Sequence, residues 1–198
     1  MVSLIVLGGA QYIASRKKHL KEELLKERKA RKHTMPIHQT EAITISSFIT
    51  SSRIILLKQS VSYQSAIESM IRTFPVNDPV SVFQAIQERD KIGSTAINPE
   101  VAFPHARVSG LNQIIAALAL CPSGVKTPCG ASIRLFLTFV SPSGETKQHL
   151  RFLAGAASLF LIENLVEELA ALATPEAVME KIREIEYGNR KAEALKHA

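Results

Sequence analysis

Two continuous apolar runs, at residues 114–121 and 133–140, restrict most strongly what this chain can fold into. Both runs are partly β-branched and are bounded by Pro and Gly turns, a pattern typical of strands that are buried on both faces of a sheet. A sheet of this kind needs helices over each face. Together with the helices described next, the two runs therefore predict an α/β sandwich, with helices on both faces of the sheet.

The spacing of apolar residues predicts five helices around these strands. The second helix is indicated most sharply, because Asp78 can cap its first turn and Pro79 suits the first helical position. The last helix opens in a similar way at Thr174, and Gly188 is predicted to end it. The five predicted helices are 62–74, 79–90, 145–162, 163–173 and 174–188.

Shorter segments connect these elements. Residues 93–99 are predicted to form a loop, and the apolar residues 101–103 a short strand that leads into Pro104 and His105. A turn is predicted at residues 141–144, after the second apolar run. Residues 43–48 and 53–57 are short apolar segments near the start of the folded region.

The length of the chain is enough for one ordinary core, since 46% of its 198 residues are apolar. We expect one folded domain at residues 39–190, followed by a tail at 191–198. Residues 1–38 are predicted to form an apolar and then basic helical extension with a linker, because Pro36 interrupts any helix that arrives from the basic part.

The positive charge of the chain is confined to this extension. Residues 16–33 contain nine Lys or Arg and three Glu, which accounts for the whole formal charge of +6. The other residues hold 15 basic and 15 acidic side chains. The basic run has no interleaved aromatic residues and no reader motif beside it, so no nucleic-acid partner is predicted.

The first fourteen residues, MVSLIVLGGAQYIA, are apolar, and the positive charges follow them. A secretory signal has the opposite order. As a helix the segment would measure roughly 21 Å, less than the hydrocarbon core of about 30 Å, so a full membrane span is not expected. Two interpretations stay open: membrane association through residues 1–33, with a cytoplasmic basic flank, or a solvated or partner-packed helix with a seam of Leu20, Leu24 and Leu25.

Cys121 and Cys129 lie in or beside apolar runs, which argues against a secreted disulfide framework and for a reducing cytoplasm. Their spacing to His105 and His149 follows no common zinc-ligand pattern. We therefore predict no metal and no other cofactor. The histidines outside the predicted domain core are expected to be solvated: His19, His33, His38 and His197.

The most informative stretch of the chain is RDKIGSTAINPEVAFPHARV, from Arg89 to Val108. It resembles the active-site pattern of the type 2 enzyme IIA family of the bacterial phosphotransferase system, which covers the fructose, mannitol and nitrogen-regulatory members. That pattern is an Arg-acidic pair, a Gly-Ser-Thr turn and then Ala-aliphatic-Pro-His. The matching segments are Arg89-Asp90, Gly93-Ser94-Thr95 and Ala102-Phe103-Pro104-His105-Ala106.

The resemblance implies the enzyme IIA type 2 fold, a mixed β-sheet flanked by helices on both faces, and a phosphocarrier function. In that family the His of the Pro-His pair accepts a phosphoryl group from the phosphohistidine of the carrier HPr, which implies that role for His105. The family has a second His at the start of a helix after the final core strand, and His149 followed by Leu150 matches it. The implied onward partner is an enzyme IIB or a regulated protein.

The chemistry of these residue types agrees with that expectation. Phosphoryl transfer between histidines needs a nucleophile that is neutral near pH 7, and an imidazole with a pKa of about 6.5 meets this need. The transition state spreads negative charge over three oxygens, so donors must converge there. Arg89 offers a planar fork, His149 a hydrogen bond, and Ser94 and Thr95 offer hydroxyl donors. Pro104 is expected to stiffen the approach to His105.

Two positions depart from the family pattern, which usually has Gly at position 98 and an aliphatic residue at position 103. Asn98 is expected to replace Gly by adopting a left-handed backbone conformation. Phe103 is expected to place extra bulk beside the nucleophile, where it would alter the docking of a partner.

Two rival functions belong to other classes. The first is a regulatory binding module, tethered to a membrane through its extension, that controls a transporter or another protein. The second is a metal-dependent hydrolase, which would need a stoichiometric metal ion. Phosphorylation assays discriminate the carrier from the first rival, and elemental analysis from the second.

Overall fold

The computed structural model describes residues 43–59, 61–127 and 130–196. The extension at 1–38, Cys129 and His197 lie outside the described residues, so the predictions made for them remain predictions. The strands are β1 Ile54–Leu56, β2 Val101–Ala102, β3 His105–Val108, β4 Ile115–Lys126 and β5 Ser132–Pro142. The α-helices are α1 Tyr63–Ile71, α2 Pro79–Ile92, α3 Thr146–Phe160, α4 Leu165–Ala170 and α5 Pro175–Lys196.

Within the described residues the strands form one mixed sheet in the order β1, β4, β5, β2, and β3 also pairs with β5. The long central strands β4 and β5 are antiparallel, whereas β1 runs parallel to β4. The short strands β2 and β3 follow one another along the same side of β5, both parallel to it. The prediction of a mixed sheet with helices on both faces is confirmed.

Both central strands are longer than predicted, and β4 continues through Pro122 and Gly124. A shift of register between Leu120 and Val125 absorbs these two residues. Gly124 has φ +75°, and a Cβ at this position would lie 2.2 Å from the Ser132 hydroxyl oxygen, so the bulge requires Gly. The predicted strand end at residue 121 is therefore wrong, because a bulge tolerates residues that a regular strand excludes.

The predicted starts of the first two helices are confirmed by their caps. The Ser62 hydroxyl accepts a hydrogen bond from the Ser65 amide at 3.0 Å, and the Asp78 carboxylate accepts one from the Ser81 amide at 3.0 Å. Pro79 occupies the first helical position of α2. Helix α2 ends at Ile92, two residues beyond the predicted end, and Arg89 lies in its last turn.

The prediction that Gly188 ends the last helix is wrong, because α5 continues through it to Lys196. Gly in a helix interior costs only about 1 kcal/mol relative to Ala. The residues after Gly188 include the good helix formers Arg190, Lys191 and Ala192, and they restore that loss. A helix end at Gly needs a left-handed residue, and Gly188 does not have a positive φ.

Successive side chains of β4 and β5 point to opposite faces of the sheet, so the core has two layers, one on each face. One layer lies between the sheet and α3, α4 and α5, and includes Leu118, Leu137, Phe139 and Phe152. The other lies between the sheet and α1 and α2, and includes Ile67, Met70, Ile86 and Phe136. In the described part of the chain, no helix combines the length and the apolar character that a membrane span needs.

Candidate functional site

His105 is the first residue of β3, where it pairs with Phe139 of β5. Its imidazole is stacked on the Phe139 ring, with the ring centroids 5.1 Å apart and the planes 15° from parallel. Only 8% of the residue is exposed. The sequence predicts one short strand before His105. The structure has that strand and also a second one, which begins at His105.

The backbone fixes the direction of the His105 ring. Its Nδ1 lies 2.7 Å from the carbonyl oxygen of Phe103, two residues earlier in the chain. A carbonyl oxygen only accepts hydrogen bonds, so Nδ1 carries the proton and donates it. The other ring nitrogen, Nε2, then has a free lone pair.

His149 lies in the first turn of α3 and faces His105. The two ring centroids are 5.2 Å apart, and the His149 ring also lies 5.5 Å from that of Phe139. Its Nδ1 is 2.7 Å from the hydroxyl oxygen of Ser141, at the end of β5. Because the end of a core strand meets the first turn of a helix here, two histidines 44 residues apart in sequence become neighbours.

Burial is the main cause of the low basicity of both imidazoles. Burial lowers the pKa of His105 below 6.5. The hydrogen bond to the Phe103 carbonyl raises that pKa, and the charge of Arg89 lowers it further. The pKa of His149 falls to about 4 because of burial first, then the charges of His105, Arg107 and Arg89. Both rings are therefore neutral at pH 7.

Arg89 belongs to the last turn of α2 and is half-buried. Its guanidinium Nη1 donates a hydrogen bond to the Gly93 carbonyl oxygen at 3.1 Å, which ties the end of the helix to the Gly-Ser-Thr turn. Its charge lowers the pKa of both His105 and His149. The structure thus brings Arg89 into the electrostatic surroundings of the histidine pair.

The hydroxyl groups of Ser94 and Thr95 have different surroundings. The Thr95 hydroxyl donates to the Asp90 carboxylate at 3.0 Å, and the Tyr63 hydroxyl donates to the other carboxylate oxygen of Asp90, also at 3.0 Å. Thr95 is therefore engaged in a network that anchors the turn. Ser94 is exposed, and its hydroxyl accepts a hydrogen bond from the Ala96 amide at 3.2 Å.

Two residues near the histidines were not singled out from the sequence. Arg107 donates hydrogen bonds to the Ser143 carbonyl oxygen and, at 2.7 Å, to the Thr146 hydroxyl, so it links β3 to the start of α3. The position of Arg107 two residues after His105 on a strand was a usable signal. Ser141 had no such signal, because its contact with His149 depends on how β5 meets α3.

The structure contradicts the left-handed backbone expected at Asn98, and it places the bulk of Phe103 in the core, while the expected effect on partner docking stays a prediction. Asn98 does not have a positive φ; its side-chain oxygen instead accepts hydrogen bonds from the amides of Glu100 and Val101, at 2.8 and 2.7 Å. Phe103 is only 2% exposed and packs on Phe160, with centroids 6.2 Å apart. Its side chain lies in the core, and its carbonyl oxygen contacts the His105 ring.

No cluster of three His, Cys, Asp or Glu side chains suited to a metal ion occurs among residues 43–59, 61–127 and 130–196. Cys121 is buried within β4, and its sulfur lies 3.4 Å from the Ser123 hydroxyl.

Two nitrogen regulatory proteins are similar to this chain, one in sequence and one in structure. A nitrogen regulatory protein from Pseudomonas aeruginosa is 27% identical over 119 residues, covering 59% of this chain and 77% of that protein. The crystal structure of nitrogen regulatory protein IIA-Ntr from Neisseria meningitidis is 26% identical, with a TM-score of 0.63, and covers 70% of this chain and 98% of that one.

The fold is also similar to that of IIA mannitol in its complex with phosphorylated IIB mannitol from Escherichia coli. That structure has 18% identity and a TM-score of 0.58, and covers 69% of this chain and 97% of that one. The family model described as "Phosphoenolpyruvate-dependent sugar phosphotransferase system, EIIA 2" matches residues 47–185, most of the chain. This protein therefore belongs to the EIIA type 2 family of the phosphoenolpyruvate-dependent sugar phosphotransferase system.

Proposed function

We propose that this protein is a phosphocarrier that accepts a phosphoryl group on Nε2 of His105 from the phosphohistidine of an HPr-type protein. The group would then pass to an enzyme IIB or change the binding of a regulated protein. One observation carries the proposal: the hydrogen bond from His105 Nδ1 to the Phe103 carbonyl leaves Nε2 as the free nucleophile beside His149.

The state of His105 suits a nucleophile. Its pKa lies below 6.5, so the ring is neutral at pH 7 and its lone pair is available without loss of a proton. The stacking on Phe139 and the carbonyl contact hold the ring in one orientation before any partner arrives. Such preorganisation is the main way in which proteins accelerate phosphoryl transfer.

The charge of the transferred group needs donors, and the proposal assigns them to His149 and Arg89. His149 is neutral, so one of its ring nitrogens carries a proton that can be donated to a phosphoryl oxygen. Arg89 supplies a positive charge and free N–H groups besides the one that binds Gly93. Ser94, which is exposed, is a weaker candidate for phosphoryl contact, and Thr95 is occupied by Asp90.

The transfer step moves one group and needs no metal or cofactor. The P–N bond on the donor imidazole breaks while a new P–N bond forms to Nε2 of His105. The bonding electrons leave with the donor ring nitrogen. The proton of His105 stays on Nδ1, where it is donated to the Phe103 carbonyl oxygen, and this hydrogen bond offsets the positive charge that develops on the ring.

Two comparisons support different onward partners. The similar fold of IIA mannitol was solved in a complex with phosphorylated IIB mannitol, which supports an enzyme IIB as the acceptor. The relatives named nitrogen regulatory protein support a second candidate function, a regulatory binding module. In that case phosphorylation would control the binding of a transporter or another protein.

The proposed location is the cytoplasm, with membrane association through residues 1–33 as the proposed tether. The apolar start and the basic run after it suit an anionic membrane surface. Fractionation of the full chain and of a chain that lacks residues 1–33 tests the tether. Equal partition of both forms into the soluble fraction would contradict it.

The phosphocarrier proposal is tested by incubation with phosphoenolpyruvate, enzyme I and HPr. We expect one acid-labile phosphate per chain, lost in His105→Ala and retained in His38→Ala, a control in the predicted linker. An unphosphorylated wild-type chain, or a phosphate that persists in His105→Ala, would sink the proposal. Phosphate that forms but passes to no enzyme IIB would leave the regulatory function as the better account.

A further inference from the structure

We propose that Ser141 is a positioning residue that holds His149 in the tautomer with its proton on Nε2, so that His149 donates a hydrogen bond to the phosphoryl group on His105. This inference deepens the proposed phosphocarrier function and rests on it. Ser141 would touch neither the phosphoryl group nor His105; it would act only through the ring of His149.

The contact between Ser141 and His149 lies inside the protein. Ser141 is 0% exposed and His149 is 6% exposed, so water reaches neither group freely. The Ser141 hydroxyl oxygen and His149 Nδ1 are 2.7 Å apart, an ordinary distance for a strong hydrogen bond. A buried polar group without a partner is destabilising, so this pair determines how both groups are satisfied.

The direction of this hydrogen bond follows from the surroundings of the hydroxyl. In the described part of the chain, Ser141 Oγ makes its hydrogen bond to His149 alone. If Nδ1 donated to it, the hydroxyl hydrogen would have no acceptor in a buried position. The hydroxyl therefore donates to Nδ1, and the proton of the neutral imidazole must sit on Nε2.

The two histidines then have opposite tautomers, which suits their separate tasks. His105 carries its proton on Nδ1, against the Phe103 carbonyl, and presents the lone pair of Nε2. His149 accepts at Nδ1 from Ser141 and presents an N–H at Nε2. One ring can attack phosphorus, and the other can donate to the oxygens that gain negative charge.

The tautomer can be measured directly by ¹⁵N NMR of the imidazoles in the full chain. We expect wild-type His149 to carry its proton on Nε2 alone. In Ser141→Ala the buried Nδ1 loses its donor, so we expect a mixture of tautomers and a ring that reorients. Ser141→Thr retains the hydroxyl and should restore the wild-type spectrum, whereas a proton on Nδ1 of wild-type His149 would overturn the inference.

A matched control lies three residues away on the same strand. Thr138 is also 0% exposed, but its hydroxyl has no hydrogen-bond partner among the described residues, and it faces the other layer of the core, with Phe136 and Val140. Thr138→Val therefore removes a buried hydroxyl without changing His149. Its His149 spectrum and transfer rate should match wild type.

The rate of phosphorylation by HPr is the second measurement. We expect Ser141→Ala to slow transfer by about tenfold, the equivalent of one misdirected hydrogen bond, with Ser141→Thr close to wild type. An unchanged rate in Ser141→Ala would overturn the inference even if the tautomer shifts. Absence of phosphorylation in wild type would instead refute the phosphocarrier function, while the NMR spectra still decide whether Ser141 sets the tautomer.

Discussion

The imidazole rings of His105 and His149 lie with their centroids 5.2 Å apart, and both contact the ring of Phe139. A charge on one ring disfavours a charge on the other, and burial disfavours both. The pair is therefore a site for two neutral imidazoles at pH 7. Neutral rings agree with the proposed roles of His105 as nucleophile and His149 as hydrogen-bond donor.

Replacement of His149 tests its proposed role as a donor. In His149→Ala we expect phosphorylation of His105 by HPr to slow by roughly 10- to 100-fold, because a hydrogen bond to a charged group contributes about 1.5–3 kcal/mol. His149→Gln keeps an amide N–H and should lose less. Rapid-quench assays measure the rates, and circular dichroism checks the fold. Equal rates in all three proteins would contradict the donor role.

Arg89 should act through the geometry of its fork as well as its charge. We expect Arg89→Lys to slow the transfer by about tenfold although it keeps the positive charge, because an ammonium cannot make two parallel hydrogen bonds. Arg89→Gln should also raise the pKa of both histidines, since the Arg89 charge lowers them. NMR titration measures that shift. Arg72→Lys, at an exposed arginine after α1, is the matched control and should change neither quantity.

The elements that depend on nearby residues were predictable from the sequence. Asp78 and Pro79 specify the start of α2 within one turn, and the apolar runs specify β4 and β5. The helix end predicted at Gly188 is wrong, because such an end requires a left-handed turn and the residues after Gly188 favour helix. Local patterns thus identify elements more securely than their ends.

The candidate site was predictable only as a set of residue types. The resemblance pointed to His105, His149 and Arg89 without their hydrogen-bond partners. Thr95 was expected to contact the phosphoryl group, but its hydroxyl binds Asp90, next to a tyrosine 32 residues earlier. Ser141 was not predictable, because its hydroxyl reaches His149 only where the end of a strand meets the start of a helix. Contacts of this kind belong to the tertiary structure, and no local pattern encodes them.

Acid should destabilise the protein through the histidine pair. The pKa of His149 is about 4 in the folded protein and 6.5 without perturbation. Between these values the unfolded chain binds more protons, so the free energy of unfolding falls as the pH drops from 6.5 towards 4 and is fully present above 6.5. We expect urea denaturation at pH 7 and pH 5 to show a smaller loss in His149→Gln than in wild type. An equal loss in both proteins would contradict the lowered pKa.

The rate of phosphorylation should follow a related pH profile. His105 accepts the group as a neutral imidazole, and its pKa lies below 6.5. We therefore expect a rate that falls to half of its plateau only below pH 6.5, with HPr and enzyme I in excess at each pH. A rate that halves near pH 6.5 or above would indicate an unperturbed or raised pKa.

Glu186 should stabilise the domain without affecting the histidines. This residue of α5 is 8% exposed, and its carboxylate accepts hydrogen bonds from the Ile45 amide, the Ser46 amide and the Ser46 hydroxyl. Ile45 is fully buried, so Glu186→Ala leaves a buried N–H without an acceptor. We expect a loss of about 1–3 kcal/mol in the free energy of unfolding and a Tm lower by several degrees.

Two further variants test whether the stability depends on the Glu186 carboxylate itself. Glu186→Gln keeps one acceptor oxygen and should lose only part of that stability. Glu184→Ala is the matched control on the same helix, because its side chain is 73% exposed and its Lys181 partner is 4.0 Å away, so it should change the Tm little. Phosphorylation of His105 should proceed at the wild-type rate in all three variants, since β3 and α3 carry the histidines. Calorimetry that finds Glu186→Ala as stable as Glu184→Ala would show that the carboxylate contributes nothing to holding the start of the domain against α5.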